Sequence, residues 1–149
     1  MGTWAVDAFG NDYAQDWAED LQQTSNLEAV ENTLDMVLGG DSTAGDMLDA
    51  PFAAEALVAI EVLARLQGKG GASTEDSAAV DEWVAQSKAK TKAKGKGEPK
   101  PRADLADKAQ RAIIRILSQE SELRALWEDS EHYQDWCDAV EELRARIAA

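Results

Sequence analysis

Six segments of the chain carry apolar residues at helical spacing, and this periodicity limits the fold more than any other feature. Within each segment the apolar side chains recur every three or four residues, so that they would form one stripe along a helix. No segment alternates apolar and polar residues as a half-buried strand does. Ser25 and Glu28 have the spacing of a capping box, and Pro51 suits the first turn of a helix. Gly39 and Gly68 follow two of the stripes and indicate helix ends. The sequence therefore predicts an all-α protein.

We predict a single domain over residues 1–149, built as a bundle of five to six helices. The expected helices cover about residues 11–23, 26–38, 51–67, 74–87, 104–119 and 130–147. The third of them is apolar over more than half of its circumference, which predicts a central helix packed on several sides. A short connection carrying Leu123, Leu126 and Trp127 is expected between the last two helices.

An aromatic N-terminal arm is predicted before the first helix. Residues 1–10 contain Trp4 and Phe9 without a helical period, and aromatic side chains are rarely left in water. Together with Tyr13 and Trp17 they are expected to belong to the core rather than to line a ligand pocket. Trp127 and Trp136 are expected to be buried as well. The arm is therefore predicted to be ordered.

A Lys-rich stretch at residues 88–101 interrupts the helical pattern. Its like charges repel one another, and its Gly and Pro residues end helices, so we predict a flexible linker. Lysines without interleaved aromatic residues would give only nonspecific contact with nucleic acid. A plain tether is the preferred interpretation.

The charge distribution constrains the partners of the chain. The formal net charge is −14, and residues 1–64 contain thirteen acidic side chains and no Lys or Arg. Such a body repels nucleic acid and anionic membranes at long range, so we expect neither to bind it directly. A partner, if the acidity serves binding, is expected to be a basic protein. The alternative is that the acidity only keeps the protein soluble.

The expected location is the bacterial cytoplasm. No run approaches the roughly 20 apolar residues that a membrane-spanning helix needs. The first residues lack the basic and apolar regions of a secretory signal. Cys137 is the sole cysteine, so no internal disulfide can form.

The beginning of the chain resembles a bacterial domain-of-unknown-function family, number 4259. Members typically begin with Gly-x-Trp, then a Phe, then Asn-Asp-x-Ala-x-Asp-Trp. The matching positions here are Gly2, Trp4, Phe9, Asn11, Asp12, Ala14, Asp16 and Trp17. Two weaker patches, at residues 55–61 and 121–143, are similar to the central and C-terminal parts of the family. The resemblance implies a helical fold, implies no activity, and leaves the role of the motif residues open.

Carboxylates at helical spacing suggest one possible metal site. Asp12 and Asp16 lie one turn apart, and two such carboxylates can share a hard cation. Glu55 and Glu61 could complete the set if the third helix packs nearby. The simpler interpretation is that Asp12 caps its helix and that acids near a helix N-terminus are stabilised by the dipole.

No catalytic constellation is recognisable. The sequence has no phosphate-binding Gly-rich loop, no zinc-ligand spacing and no nucleophile elbow. His132 and Cys137, each unique, lie five apart on a predicted helix and so point about 140° away from each other. We therefore predict no catalytic residues and no cofactor.

The preferred hypothesis is a non-enzymatic protein-binding module of the immunity, antidote or inhibitor type, acting on a basic partner. Its proposed partner-binding residues are Asp20, Glu28, Glu31 and Asp35, which lie on the first two helices. One alternative is a metal-dependent hydrolase that uses Asp12, Asp16, Glu55 and Glu61. Another is a structural or regulatory homo-oligomer built on the helical faces.

Overall fold

The computed structural model describes residues 12–23, 28–38, 48, 50–66, 78–93, 103–118 and 121–148. These residues form seven helices. Their bounds are α1 Asp12–Leu21, α2 Glu28–Leu38, α3 Ala50–Leu66, α4 Ala78–Ala93, α5 Ala103–Ile116, α6 Glu122–Glu128 and α7 Tyr133–Ala148. Within the described ranges the only β-type pairing is an isolated bridge between Leu48 and Ser121. The prediction of an all-α fold is therefore confirmed.

The predicted number of five to six helices was too low, because α6 stands where we expected a connection. Its seven residues are too short to show a helical period in the sequence. Tertiary contacts hold it in place. The Ser121 side chain accepts a hydrogen bond from the Arg124 backbone N–H at 3.2 Å and caps the helix. Leu123 and Trp127 are buried against the core.

Helix α4 also departs from the prediction. It continues to Ala93 and so includes residues 88–93, which we had assigned to the flexible linker. Lys and Ala are good helix formers, and here that propensity outweighs the repulsion between lysines. The remaining linker residues, 94–101, lie outside the described part of the chain, as does the aromatic arm at residues 1–10.

Helix α3 is the centre of the molecule. It contacts each of the other six described helices. Its alanines allow neighbouring backbones to approach closely, and nearly all of its residues from Ala53 to Arg65 are buried. The prediction of a central third helix is therefore confirmed. Side chains from all seven helices belong to one hydrophobic cluster.

The predicted aromatic core is confirmed for three tryptophans. Trp17, Trp127 and Trp136 are all buried. The rings of Trp127 and Trp136 stack with their centroids 6.1 Å apart, which joins α6 to α7. Tyr13 differs, because its side chain is 40% exposed. Residues four apart drift by about 40° around a helix, so Tyr13 lies about 80° from Leu21 and at the edge of the stripe.

None of the helices described here is long and apolar enough to span a membrane.

Candidate functional site

Helix α1 separates its core residues from its acids. Its apolar stripe consists of Ala14, Trp17, Ala18 and Leu21, all of them buried. The Trp17 indole N–H donates a hydrogen bond of 2.8 Å to the Thr33 hydroxyl and thereby ties α1 to α2. Asp16, Glu19 and Asp20 are exposed beside this stripe. The two family-motif residues Asp16 and Trp17 thus have different surroundings: Trp17 is part of the core and Asp16 faces solvent.

Helix α3 brings a third carboxylate to the acids of α1. Glu55 is half-buried, and burial raises its pKa above the ordinary value of 4.5. The negative charges of Asp20 and Asp16 raise this pKa further. We call Asp16, Asp20 and Glu55 the acidic cluster. Within the described part of the chain, no Lys or Arg forms an ion pair with any of the three.

Glu61 lies in a different environment from Glu55. It is buried and accepts hydrogen bonds from Arg65, one turn further along α3, and from Arg146 of α7. The Arg146 Nη2 atom lies 2.7 Å from Glu61 Oε1. Arg65 in turn donates through Nε to Asp81 of α4 at 2.6 Å. We call these four residues the Glu61 ion-pair cluster.

The pairing with Glu61 stabilises the cationic form of Arg146. Burial by itself lowers the pKa of this guanidinium, whereas the hydrogen bond to Glu61 and the negative charge of Glu61 raise it. Glu142 adds to the effect, and the pKa of Arg146 is raised above its ordinary value. Arg146, like arginines generally, is a cation, and it lies directly beside the carboxylate of Glu61.

The four carboxylates of the metal-site hypothesis are not assembled around one point. Asp16 and Glu55 interact, as that hypothesis requires. Glu61 binds two arginines instead, and the side chain of Asp12 lies outside the described residues. Among the residues that the structure describes, no group of three or more His, Cys, Asp or Glu side chains could hold a metal ion.

The acids of α2 are partly neutralised by Lys108, a residue that the sequence analysis did not identify. The Nζ atom of Lys108, on α5, lies 2.8 Å from Asp35 Oδ1 and 4.0 Å from Glu31 Oε2. Glu28 is exposed at the start of the same helix. Of the four proposed partner-binding residues, Asp20 lies in the acidic cluster, and two of the others share Lys108. The cation that reaches Glu31 and Asp35 therefore comes from α5, more than seventy residues further along the chain.

His132 and Cys137 do not form a reactive pair. His132 is exposed and lies beside Glu131 and Asp135, at 3.7 and 3.6 Å. Cys137 is a half-buried free thiol packed against the core. Nearby, Arg124 donates to the Tyr133 hydroxyl at 3.0 Å, and this bond is the main cause of its raised pKa.

The fold and its charged surfaces define a small, acidic, all-helical protein with a central α3. Residues 2–139 match the family described as Domain of unknown function (DUF4259), so the chain belongs to that family. The resemblance seen in the first residues is thereby confirmed. No curated protein and no solved structure matches the chain.

Proposed function

We propose that this chain is a non-enzymatic protein-binding module, and that the acidic cluster of Asp16, Asp20 and Glu55 is the centre of its binding surface. The observation that carries the proposal is the convergence of three carboxylates on neighbouring helices with no described cation paired to them. The expected occupant is a Lys or Arg side chain of a basic partner.

The energetics of Glu55 support this proposal. Its raised pKa means that the folded protein disfavours the ionised form of this side chain. Ionisable groups with such shifts are concentrated at functional sites. A cation placed between α1 and α3 would reverse the unfavourable contribution of burial and of the two neighbouring charges. Partner binding would then use an interaction that the described part of the free chain does not provide.

The acids of α2 extend the proposed surface. Glu28, Glu31 and Asp35 lie on the helix that Trp17 and Thr33 join to α1. Because Lys108 already binds Asp35, a partner cation has to compete there. We therefore assign the larger share of binding to the acidic cluster, and a smaller share to Glu31 and Asp35.

Affinity capture with matched baits tests the proposal. The wild-type chain is immobilised beside the triple variant Asp16→Asn, Asp20→Asn, Glu55→Gln, and both are exposed to lysate of the native host. The control bait is Glu131→Gln, Asp135→Asn, Asp138→Asn, which removes the same charge from exposed positions near the start of α7. We expect a basic protein to bind the wild type and the control bait but not the triple variant. A protein captured equally by all three baits would contradict the proposed site.

A further inference from the structure

The Glu61 ion-pair cluster joins three helices. Helix α3 provides Glu61 and Arg65, with 6% and 7% of their surfaces exposed. Helix α4 contributes Asp81, which contacts Arg65, and α7 contributes Arg146, which contacts Glu61. The Oε2 atom of Glu61 faces both guanidinium groups, since Arg146 Nη1 also lies 3.4 Å from it. The negative charge of Glu61 therefore stands between two positive charges.

The two arginines would respond differently if Glu61 lost its charge. Arg65 would keep its hydrogen bond of 2.6 Å to Asp81, and its side chain has little room to move because it is buried. Arg146 would keep Glu142 at 3.3 Å, a carboxylate of its own helix whose side chain is 69% exposed. Two neighbouring cations without an intervening anion repel each other. Arg146 is the one that can turn outward toward solvent.

Release of Arg146 would act on a defined segment. The C-terminal half of α7, residues 140–148, also rests on the buried side chains of Val140, Leu143 and Ile147. A second polar link connects it to α5, where Arg144 donates to Gln110 at 3.2 Å. These contacts do not depend on Glu61. They face α3 and α5, so that opening of this segment would expose an apolar face on each side.

We propose that the charge of Glu61 holds the C-terminal half of α7 on α3, and that removal of this charge releases that segment while α4 stays bound to α3 through Arg65 and Asp81. In the acidic cluster the charges are proposed to bind a partner, whereas the charge of Glu61 is proposed to hold two helices of this chain together. The role of Glu61 does not rest on the proposed function. One side chain then decides between a closed and a locally open form.

Hydrogen–deuterium exchange of the full chain, resolved by segment, tests this role of Glu61. In Glu61→Gln we expect the amides of residues 140–147 to exchange on the order of tenfold faster, because charge-assisted hydrogen bonds are lost there. The amides of α4 should keep their wild-type rates. Asp81→Asn is the converse variant and should accelerate exchange in α4 but not in α7. Glu142→Gln removes the exposed carboxylate from the same arginine and should change neither segment.

A second variant keeps the test decisive if Glu61→Gln does not fold. Arg146→Gln leaves Glu61 paired with Arg65 and removes the ion pair between Glu61 and α7. It should accelerate exchange at residues 140–147 and increase binding of an apolar fluorescent dye. Uniform acceleration over all helices in either variant would overturn the proposal, as would unchanged exchange at residues 140–147. Unchanged exchange would mean that the apolar contacts and Gln110 hold α7, whereas uniform acceleration would mean that the variant is destabilised as a whole.

Discussion

Glu55 and Glu61 lie on the same helix, and their contrast shows how strongly position determines the state of a carboxylate. Six residues apart on α3, they point about 120° away from each other. Glu61 faces two arginines, whereas Glu55 faces the aspartates of α1. Glu61 and Arg65 have the spacing of four that brings opposite charges together along a helix, and the structure shows this pair. The sequence did not predict Arg146 as the second partner, because no local pattern reports a contact between residues 85 positions apart.

The raised pKa of Glu55 predicts a pH-dependent gain in stability for Glu55→Gln. When the folded pKa exceeds the unfolded value of 4.5, ionisation costs the folded state free energy as the pH rises through both values. The neutral variant avoids this cost. We expect it to be more stable at about pH 7 by about 0.5 kcal/mol, a value reduced for solvent screening of this half-exposed group. At about pH 3.5 the wild-type carboxyl is protonated too, and the difference should vanish.

Urea unfolding at both pH values measures this difference. Glu19→Gln is the matched control, because Glu19 is an exposed acid on α1 outside the acidic cluster. A Glu55→Gln protein that is less stable than the wild type at about pH 7 would show that ionised Glu55 has a stabilising partner. Combined with the capture experiment, a variant that gains stability and loses its partner is the pattern expected of a binding residue.

Metal titration distinguishes the protein-binding hypothesis from the hydrolase hypothesis. Since Glu61 is held by Arg65 and Arg146, we expect the remaining carboxylates to bind Mg²⁺, Mn²⁺, Ca²⁺ or Zn²⁺ no more tightly than ~10 μM. Isothermal titration calorimetry of the chain with each ion is the measurement. A tighter site that disappears in Asp16→Asn would favour the metal-dependent hydrolase over a binding module.

At the scale of helices, the sequence predicted the helices that carry a long apolar stripe and missed α6, which is too short to carry one. Six stripes led to α1, α2, α3, α4, α5 and α7, with ends displaced by up to six residues. Helix α6 depends on Ser121, on the burial of Trp127 and on contacts with the region before α3. The Glu122 backbone N–H donates to the Leu48 carbonyl at 2.9 Å, and this contact spans more than seventy residues of chain. Helical periodicity contains no information about such pairings.

The side chain of Glu122 is predicted to stabilise the start of α3. Its Oε1 atom accepts a hydrogen bond of 2.8 Å from the backbone N–H of Ala50, which is the first residue of α3. One of the four unpaired N–H groups of a helix start is thereby satisfied from another helix. Glu122→Ala should lower the free energy of unfolding by about 1 kcal/mol, as loss of an N-cap does. Glu122→Gln keeps an acceptor oxygen and should lose less.

Denaturant unfolding of these two variants measures the effect. Glu128→Ala serves as a comparison at the other end of α6, where the carboxylate pairs with Arg124 at 3.1 Å on the surface. Exposed pairs of this kind contribute little, so that this variant should stay close to the wild type. Equal losses in Glu122→Ala and Glu128→Ala would mean that the bond to Ala50 does not stabilise α3.

At the scale of the whole molecule, folding brings cations from residues 65–149, which contain every Lys and Arg of the chain, to the acids of residues 1–64. Residues 1–64 have no cation of their own. Lys108 reaches the acids of α2, and Arg65 and Arg146 reach Glu61. The described part of the chain supplies no such partner for the acidic cluster. The composition predicted an acidic first half, but only the packing of α5 on α2 and of α7 on α3 decides which acids stay unneutralised.

The difference between neutralised and unneutralised acids predicts how fast a basic partner should associate. Unneutralised acids create a field that accelerates encounter with a cationic surface, and salt screens that field over a Debye length of about 8 Å at ~0.15 M. Once the partner has been identified, its association rate should fall clearly between low and high salt.

Charge reversal at Asp20, Glu28, Glu31 and Asp35 should slow association of the partner more than it accelerates dissociation. The reversal Asp20→Lys should have a larger effect than Asp35→Lys, since Lys108 already screens Asp35. Stopped-flow or surface plasmon resonance over a salt series gives both rates. An association rate that responds neither to salt nor to these reversals would mean that the acidity of the first half serves solubility alone.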